Sequence, residues 1–493
     1  MTSTGNIYIT SERLLRSLSI PKLFLMCFAI SLLWHYVLYG VTFWFDFGKD
    51  DDYFFFSYDK TFGFENHPQW GWWPQTGRYG SGEMWKHLSL LITDLADLSK
   101  IRAMSLLVSS VSMTLLVLSF VRVKSNILFA LFISALIFSL PAMALNFTYV
   151  LGFPSTVAWM CALLAFLSSF ALFGNRLAPA KFGLREILGT ILAFSFLGIS
   201  ITIYQMSMFF FLIPCAYFVL FADRDKFISG QSAYKKIWSL IFPMVMTFTV
   251  AISYYVYHKF VYLPKFFAQG VGVPVSAEQS EIAAYRFDAS SNYVENLQHY
   301  MEHTIPRIFD IVNWNEYPDL WLFIAGLIIL PVIIGSCACL KSKNPAELKK
   351  YYDSALIAVT VCGYFLLSSA PIVAQGTHST YRVVLVMSAI VFLAFVWAAL
   401  WLLIMMKADS RSTKLILSCS LLVTVLISTH ITVIATTRSE AFEIEYVATQ
   451  VRQFLKAGKP LHRIHLIQSG NKDRFSNRGC ESEFFCGSSR NGA

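Results

Sequence analysis

A chain of 493 residues in which 56% are hydrophobic and only 14% charged is not a string of soluble domains, where about a quarter of residues carry charge. Apolar runs of about 20 residues recur along it, each long enough to cross a bilayer as a helix, so the chain reads as an all-α polytopic membrane protein. The net charge of +9 is no nucleic-acid footprint, because the basic residues sit in short loops between apolar runs, where they report topology.

Residues 1–21 form an amphipathic stretch with Arg13 and Arg16, and Lys22 borders it. The apolar run that follows is too long for the h-region of a cleavable signal, which predicts a retained cytoplasmic segment. Eleven spans are expected, at 22–44, 101–121, 126–145, 155–174, 187–203, 206–222, 237–257, 319–340, 354–374, 383–406 and 415–436. The pair 187–203 and 206–222 also fits one tilted helix with a re-entrant piece.

One set of short loops holds Arg122 and Lys124; Arg176, Lys181 and Arg185; Arg224, Lys226, Lys235 and Lys236. The same set continues with Lys341, Lys343, Lys349 and Lys350, then Lys407, Arg411 and Lys414. The opposite short loops carry no Lys or Arg at 146–154 and 204–205, and only Arg382 at 375–382. Lys and Arg favour the cytoplasmic side, so the N-terminus is expected inside and the C-terminus outside. The transmembrane domain is then 22–436, with long outer segments at 45–100 and 258–318 and an outer tail at 437–493.

The first outer segment opens with three carboxylates, Asp50, Asp51 and Asp52, followed by Tyr53, Phe54, Phe55 and Phe56. Neighbouring, partly desolvated carboxylates raise one another's pKa, which suits one of them to act as a base. They could also hold a divalent cation, and the plain structural alternative is a charge cluster that marks the interface. Next comes "GWWPQTGRYG", where Arg78 lies beside Gly77 and near a second glycine, Gly80. A guanidinium so placed can approach an anion closely and bind phosphate through two hydrogen bonds. Trp70, Trp72, Trp73 and Tyr79 could stack on sugar faces, although an interfacial aromatic belt explains tryptophans equally well. Residues 83–98, with Trp85, Leu88, Leu91, Ile92 and Leu95 at helical spacing, predict an amphipathic helix on the outer membrane surface.

Further along, "NFT" at Asn146 is a formal glycosylation sequon read as chance. "HYMEH" places His299, Glu302 and His303 in an H-x-x-E-H pattern, but no third zinc ligand follows, and an amphipathic outer helix is the simpler reading. Arg382 is a lone basic residue in an outer loop and either meets an anion or snorkels to headgroups. In the tail, 437–457 reads as a helix and "RIHLIQSG" as a strand, giving a small α/β element. Seven of the nine cysteines fall in apolar runs; Cys480 and Cys486 fall in the tail, where an oxidising compartment would join them.

The order of these features resembles the phage-encoded serotype-converting glucosyltransferases of enteric bacteria, which modify the O-antigen of lipopolysaccharide. The residues that carry the resemblance are Asp51, Asp52, Gly77 and Arg78, in the outer loop after the first span. More distantly the chain resembles integral membrane glycosyltransferases of the GT-C class, which have an acidic motif at this place. The resemblance implies a GT-C-like fold in a bacterial inner membrane and a glucosyl donor carried on undecaprenyl phosphate. It implies partner proteins, a synthase that makes the glucosyl lipid and a flippase that delivers it to the outer leaflet. The acceptor would be a sugar hydroxyl of lipid-linked O-antigen. Asp51 or Asp52, with Asp50 beside them, would be the base, and Arg78 or Arg382 would meet the donor phosphate. No organic cofactor is implied, and a divalent metal is left open. A lipid-linked oligosaccharide transporter and a membrane metalloprotease are the competing readings.

Overall fold

The computed structural model describes residues 19–43, 73, 76–88, 91–92, 95–123, 126–148, 152–180, 183–221, 233–268, 293–309, 325–330, 333–334, 345–375 and 381–406, with isolated positions between 418 and 456. The described residues contain helices and turns and no strand. Seven helices among them are long and apolar enough to cross a membrane: Ile20–Thr42, Asp97–Arg122, Phe153–Leu172, Leu184–Ile203, Lys235–Lys265, Ala355–Val373 and Val384–Ile404. Two expected spans, 126–145 and 206–222, contain shorter apolar helices instead, Ile127–Ile137 and Gln205–Phe221. The expected spans 319–340 and 415–436 lie largely outside the described residues, as do the α/β element and Cys480 and Cys486. What is shown is a multi-pass helical bundle.

The elements that build the bundle are α1 (Ile20–Tyr39), α2 (Tyr79–Leu88), α3 (Leu95–Arg122), α4 (Ile127–Ile137) and α5 (Pro141–Thr148). They are followed by α6 (Phe153–Leu172), α7 (Leu184–Ile203), α8 (Leu212–Phe221) and α9 (Ala233–Tyr257). The short α10 (Leu263–Ala268), α11 (Tyr293–His299) and α12 (Ile305–Phe309) precede the long α13 (Pro345–Gln375) and α14 (Tyr381–Met405).

The break between α4 and α5 has a local cause. Pro141 has no N–H to donate and disfavours helical backbone at the residue before it. The chain turns through Phe138, Ser139 and Leu140, which would leave carbonyls unpaired where water is absent. α1 supplies the donors. Tyr39 Oη donates to the Phe138 carbonyl at 2.6 Å, and Trp34 Nε1 donates to the Ala135 carbonyl at 3.2 Å and to Ser139 Oγ at 3.1 Å. Between them His35 is buried, with Nδ1 2.8 Å from the Ser31 carbonyl and Nε2 2.9 Å from Ser109 Oγ. The rings of Phe138 and Phe147 lie edge-on to His35 at 5.4 and 5.5 Å.

α3 is rich in serine, and several of its hydroxyls are satisfied within the helix. Ser105, Ser110, Thr114 and Ser119 each donate to the carbonyl four residues earlier. Small side chains of this kind let helices approach closely where apolar burial alone gives no drive to associate. Ser112 also reaches the Thr156 carbonyl of α6 at 3.3 Å, and Ser200 of α7 reaches the Ala158 carbonyl of α6 at 2.9 Å. α6 is thereby held from both sides.

Basic side chains gather at one end of this layer. Arg122 donates to the Leu167 carbonyl at 3.3 Å and Arg185 to the Ala171 carbonyl at 2.7 Å, both toward the negative C-terminal end of α6. At the other end, α2 packs on the C-terminus of α7. The amphipathic helix expected at 83–98 is two pieces: α2 starts earlier and stops at Leu88, while Leu95 already belongs to α3. Trp85, Ile92 and Leu98 nonetheless share one small core with Trp73, Ile101 and Phe153, which is why apolar spacing runs on across the junction. The segment 258–318, expected outside, also departs from a surface helix among its described residues. Tyr300, Ile305 and Ile308 are buried in the main core, and Tyr300 Oη donates to Ser369 Oγ of α13 at 2.6 Å.

Candidate anion and aromatic site at the Arg78 loop

The loop before α2 is tightly specified. Gly77 sits at φ 77°, a left-handed conformation that glycine adopts without a Cβ clash. The Arg78 amide and the Thr76 hydroxyl both donate to the Trp73 carbonyl, at 2.7 and 3.1 Å. From across the bundle the Tyr254 hydroxyl donates to the Gly77 carbonyl. Gly80 leaves no room for a side chain, since a Cβ there would stand 3.0 Å from Ile203 Cγ1 and from Thr202 Oγ1. Ser81 Oγ closes the contact by donating to the Ile203 carbonyl at 2.5 Å. The loop is thus pinned to the ends of α7 and α9.

The end of α7 also provides the groups that meet Arg78. Tyr204 leaves the helix with extended backbone (φ −150°, ψ 113°), and Gln205 begins a 3-10 turn that runs to Phe211. The Gln205 carboxamide accepts from Arg78 Nε at 3.1 Å and donates to the Thr76 carbonyl at 2.8 Å. The guanidinium carbon of Arg78 lies 4.6 Å from the Tyr204 ring centre and 5.9 Å from that of Trp73. Cation–ring contacts at such distances are attractive, more so where water is scarce. Arg78 itself is half-buried. A half-buried guanidinium held by an amide and a ring has the chemistry to take a phosphate or carboxylate.

Beside it stands a column of rings. Tyr79 stacks on Tyr262 at 4.9 Å, lies 5.9 Å from Tyr254 and stacks on His258 at 6.4 Å. Tyr254, His258 and Tyr262 are four residues apart in sequence, and in a straight α-helix that spacing drifts around the axis. A π turn at His258–Tyr262 widens the helix there and keeps the three rings together, with His258 stacked on both tyrosines. Such bulges are common at functional positions. Burial, followed by the neighbouring Tyr257 and Tyr262, pushes the Tyr79 phenol well above its ordinary range, so it stays neutral and can donate.

Of the residues singled out from sequence, Trp73, Arg78 and Tyr79 come together here. Asp50, Asp51, Asp52, Trp70 and Trp72 lie outside the described residues. Arg382 is the second residue of α14, and its side chain is outside the described ones. In "HYMEH", Glu302 accepts from Gln298 at 2.9 Å on a π turn that spans Tyr300–Thr304. No three His, Cys, Asp or Glu side chains gather as a metal set among the described residues. Asn146 is buried and donates to the Ala142 carbonyl at 3.1 Å, which removes it from the surface that glycosylation needs.

Sequence reading missed Tyr204, Gln205, Tyr254, His258 and Tyr262. One signal was present: Gln205 is a lone carboxamide between two apolar runs, where an unpartnered polar group is costly. Comparison with protein-family models, curated proteins and solved structures finds no match to this chain.

Proposed function

We propose that this protein is a membrane glycosyltransferase that moves a glucosyl residue from undecaprenyl-phosphate glucose to a hydroxyl of lipid-linked O-antigen. The observation that carries the reading is Arg78: a guanidinium oriented by Gln205 and Tyr204 at the end of the bundle opposite Arg122 and Arg185. If the basic end faces the cytoplasm, as the bias of Lys and Arg implies, the Arg78 site faces the periplasm of an inner-membrane protein. That is where a flipped lipid-phosphate donor presents its headgroup. An apolar groove of about 500 Å³ between α1 and α3, lined by Leu32, Leu33, Tyr36, Leu106 and Leu107, suits a hydrocarbon chain.

In this mechanism Asp51 or Asp52 takes the proton of the acceptor hydroxyl, with Asp50 adjusting their charge. The oxygen attacks the anomeric carbon as its bond to the phosphate oxygen breaks. Undecaprenyl phosphate departs against Arg78, with Arg382 as a second cation, and the anomeric configuration inverts. Trp72, Trp73 and Tyr79 would border the sugars. A synthase and a flippase would supply the donor. The test is direct: membranes holding this protein receive undecaprenyl-phosphate glucose and an O-antigen acceptor, and the glycan is analysed for added glucose. Unchanged glycan alongside a working positive control would remove the reading.

One observation favours a second reading. His35 is buried in the first apolar helix beside the discontinuous pair α4 and α5, and buried ionisable groups next to broken helices are features of carriers. A lipid-linked oligosaccharide transporter would move labelled lipid between leaflets without forming any glycosidic bond. The same assay separates the two.

A further inference from the structure

We infer that Gln205 is the positioning residue of this site, holding Arg78 ready for a lipid-linked phosphate. The inference rests on the phosphate reading of Arg78 above and adds the group through which that residue is set. An arginine on a loop has a long stem, and ordering it on binding opposes affinity. Here one carboxamide orders both the side chain and the loop. Its oxygen accepts from Arg78 Nε at 3.1 Å, and its nitrogen donates to the Thr76 carbonyl two residues earlier in the same loop at 2.8 Å. Tyr204, the preceding residue, places its ring 4.6 Å from the guanidinium carbon. Both groups come from the break that ends α7, so the orientation of Arg78 is dictated by the bundle. The neutral amide does this without placing a negative charge beside the anion, which a carboxylate partner would do.

The experiment uses the full-length protein in nanodiscs, with binding read from intrinsic tryptophan fluorescence. Undecaprenyl phosphate, undecaprenol and inorganic phosphate are titrated separately into wild type, Q205L, Q205E, R78A and the R78A/Q205L double variant. Q205L should weaken undecaprenyl phosphate about tenfold, the scale of one hydrogen bond to a charged group, and leave undecaprenol unchanged. Q205E keeps the size and the acceptor but adds a charge, so it should bind the lipid phosphate at least as weakly, and it carries the test if Q205L does not fold. In the R78A background Q205L should cost nothing further, because Gln205 acts through Arg78. A residue that merely staples the loop would give additive losses, and that result would overturn the inference. Wild-type affinity in both Q205L and Q205E, with binding weakened in R78A, would overturn it while leaving the phosphate reading intact. Equal affinity of wild type for undecaprenol and undecaprenyl phosphate would remove the phosphate reading itself, and Gln205's role with it. Inorganic phosphate binding as tightly as the lipid would assign a free anion and overturn the lipid-linked class.

Discussion

Gln205 and Arg78 stand 127 positions apart in the chain and meet at 3.1 Å. The contact joins a loop ahead of a short helix to the break at the end of a transmembrane one. It makes the loop's geometry a property of the bundle, holding it to the end of α7 as the Tyr254 hydroxyl holds it to α9.

Removing the guanidinium is the most direct test of the proposed transfer. Arg78→Ala should lower turnover by about 10²–10³-fold, the effect of losing one preorganised contact to charge that develops in the transition state. Arg78→Lys should recover little, because an ammonium on a flexible stem has neither a planar fork nor a face to stack on Tyr204. Steady-state kinetics with undecaprenyl-phosphate glucose would show it, and wild-type turnover in Arg78→Ala would take this residue out of the site.

The glycines around Arg78 should be more sensitive than their size suggests. Gly77→Ala forces a Cβ into left-handed backbone at a cost of about 1–2 kcal/mol. Gly80→Val should be worse for binding, since even a Cβ would stand 3.0 Å from Ile203 and Thr202 and would lever α2 off α7. Thermal unfolding in nanodiscs is expected to fall modestly for both. Donor affinity should fall more, through the displaced Arg78.

Much of the scaffold is legible in the sequence, because length and hydropathy of an apolar run suffice where backbone polar groups must pair internally. The runs now seen as Phe153–Leu172 and Val384–Ile404 needed no further information. The α4–α5 break was less legible. Pro141 marked it, but that the chain would bend there depended on Trp34 and Tyr39, about a hundred residues away, donating to the opened carbonyls. At the site, Arg78, Trp73 and Tyr79 were readable because they are local to one loop. Tyr204, Gln205, Tyr254, His258 and Tyr262 were not, since each depends on which helix ends meet.

The node that holds the broken helix predicts a stability defect separate from activity. Tyr39→Phe removes the donor to the Phe138 carbonyl and leaves a buried acceptor unsatisfied, at about 1–3 kcal/mol. His35→Ala should cost a similar amount or more, because it also vacates space packed by Phe138 and Phe147. Both are expected to lower the unfolding temperature while the protein that remains folded turns over normally. A loss of lipid movement between leaflets without loss of stability in His35→Ala would instead favour the transporter reading.

Topology is testable without substrate. Periplasm-dependent reporters fused after the α9 end and at the C-terminus should be active, and fusions in 174–183 or 222–232, where Arg176 and Arg224 fall, should be silent. Thiol labelling of the intact cell should fail at Cys480 and Cys486 until a reductant is added, as expected for a pair oxidised on the outer side. An active cytoplasmic reporter at the C-terminus would invert the orientation and place the Arg78 site on the wrong face for a flipped donor.

The acidic triplet gives the last prediction. Asp50, Asp51 and Asp52 precede Tyr53, Phe54, Phe55 and Phe56, aromatic residues that favour the membrane–water interface. On the proposed function, a carboxylate held there would stand at the depth where a lipid-anchored glucosyl group presents its anomeric carbon. A base must reach the acceptor hydroxyl within hydrogen-bond distance, and anchoring both substrates in the membrane narrows that search to a plane. Asp→Asn keeps the shape and removes the proton acceptor, so Asp51→Asn or Asp52→Asn should lower turnover by about 10²–10⁴-fold with donor binding retained. Asp50→Asn should be milder, because Asp50 lies nearest the first span and acts on the base through its charge. The separation from Arg78 is then kinetic: the aspartate variant binds undecaprenyl phosphate and does not transfer, whereas Arg78→Ala weakens the binding as well. Inserted, fully active Asp51→Asn and Asp52→Asn proteins would leave the triplet as a charge cluster at the interface and move the base elsewhere.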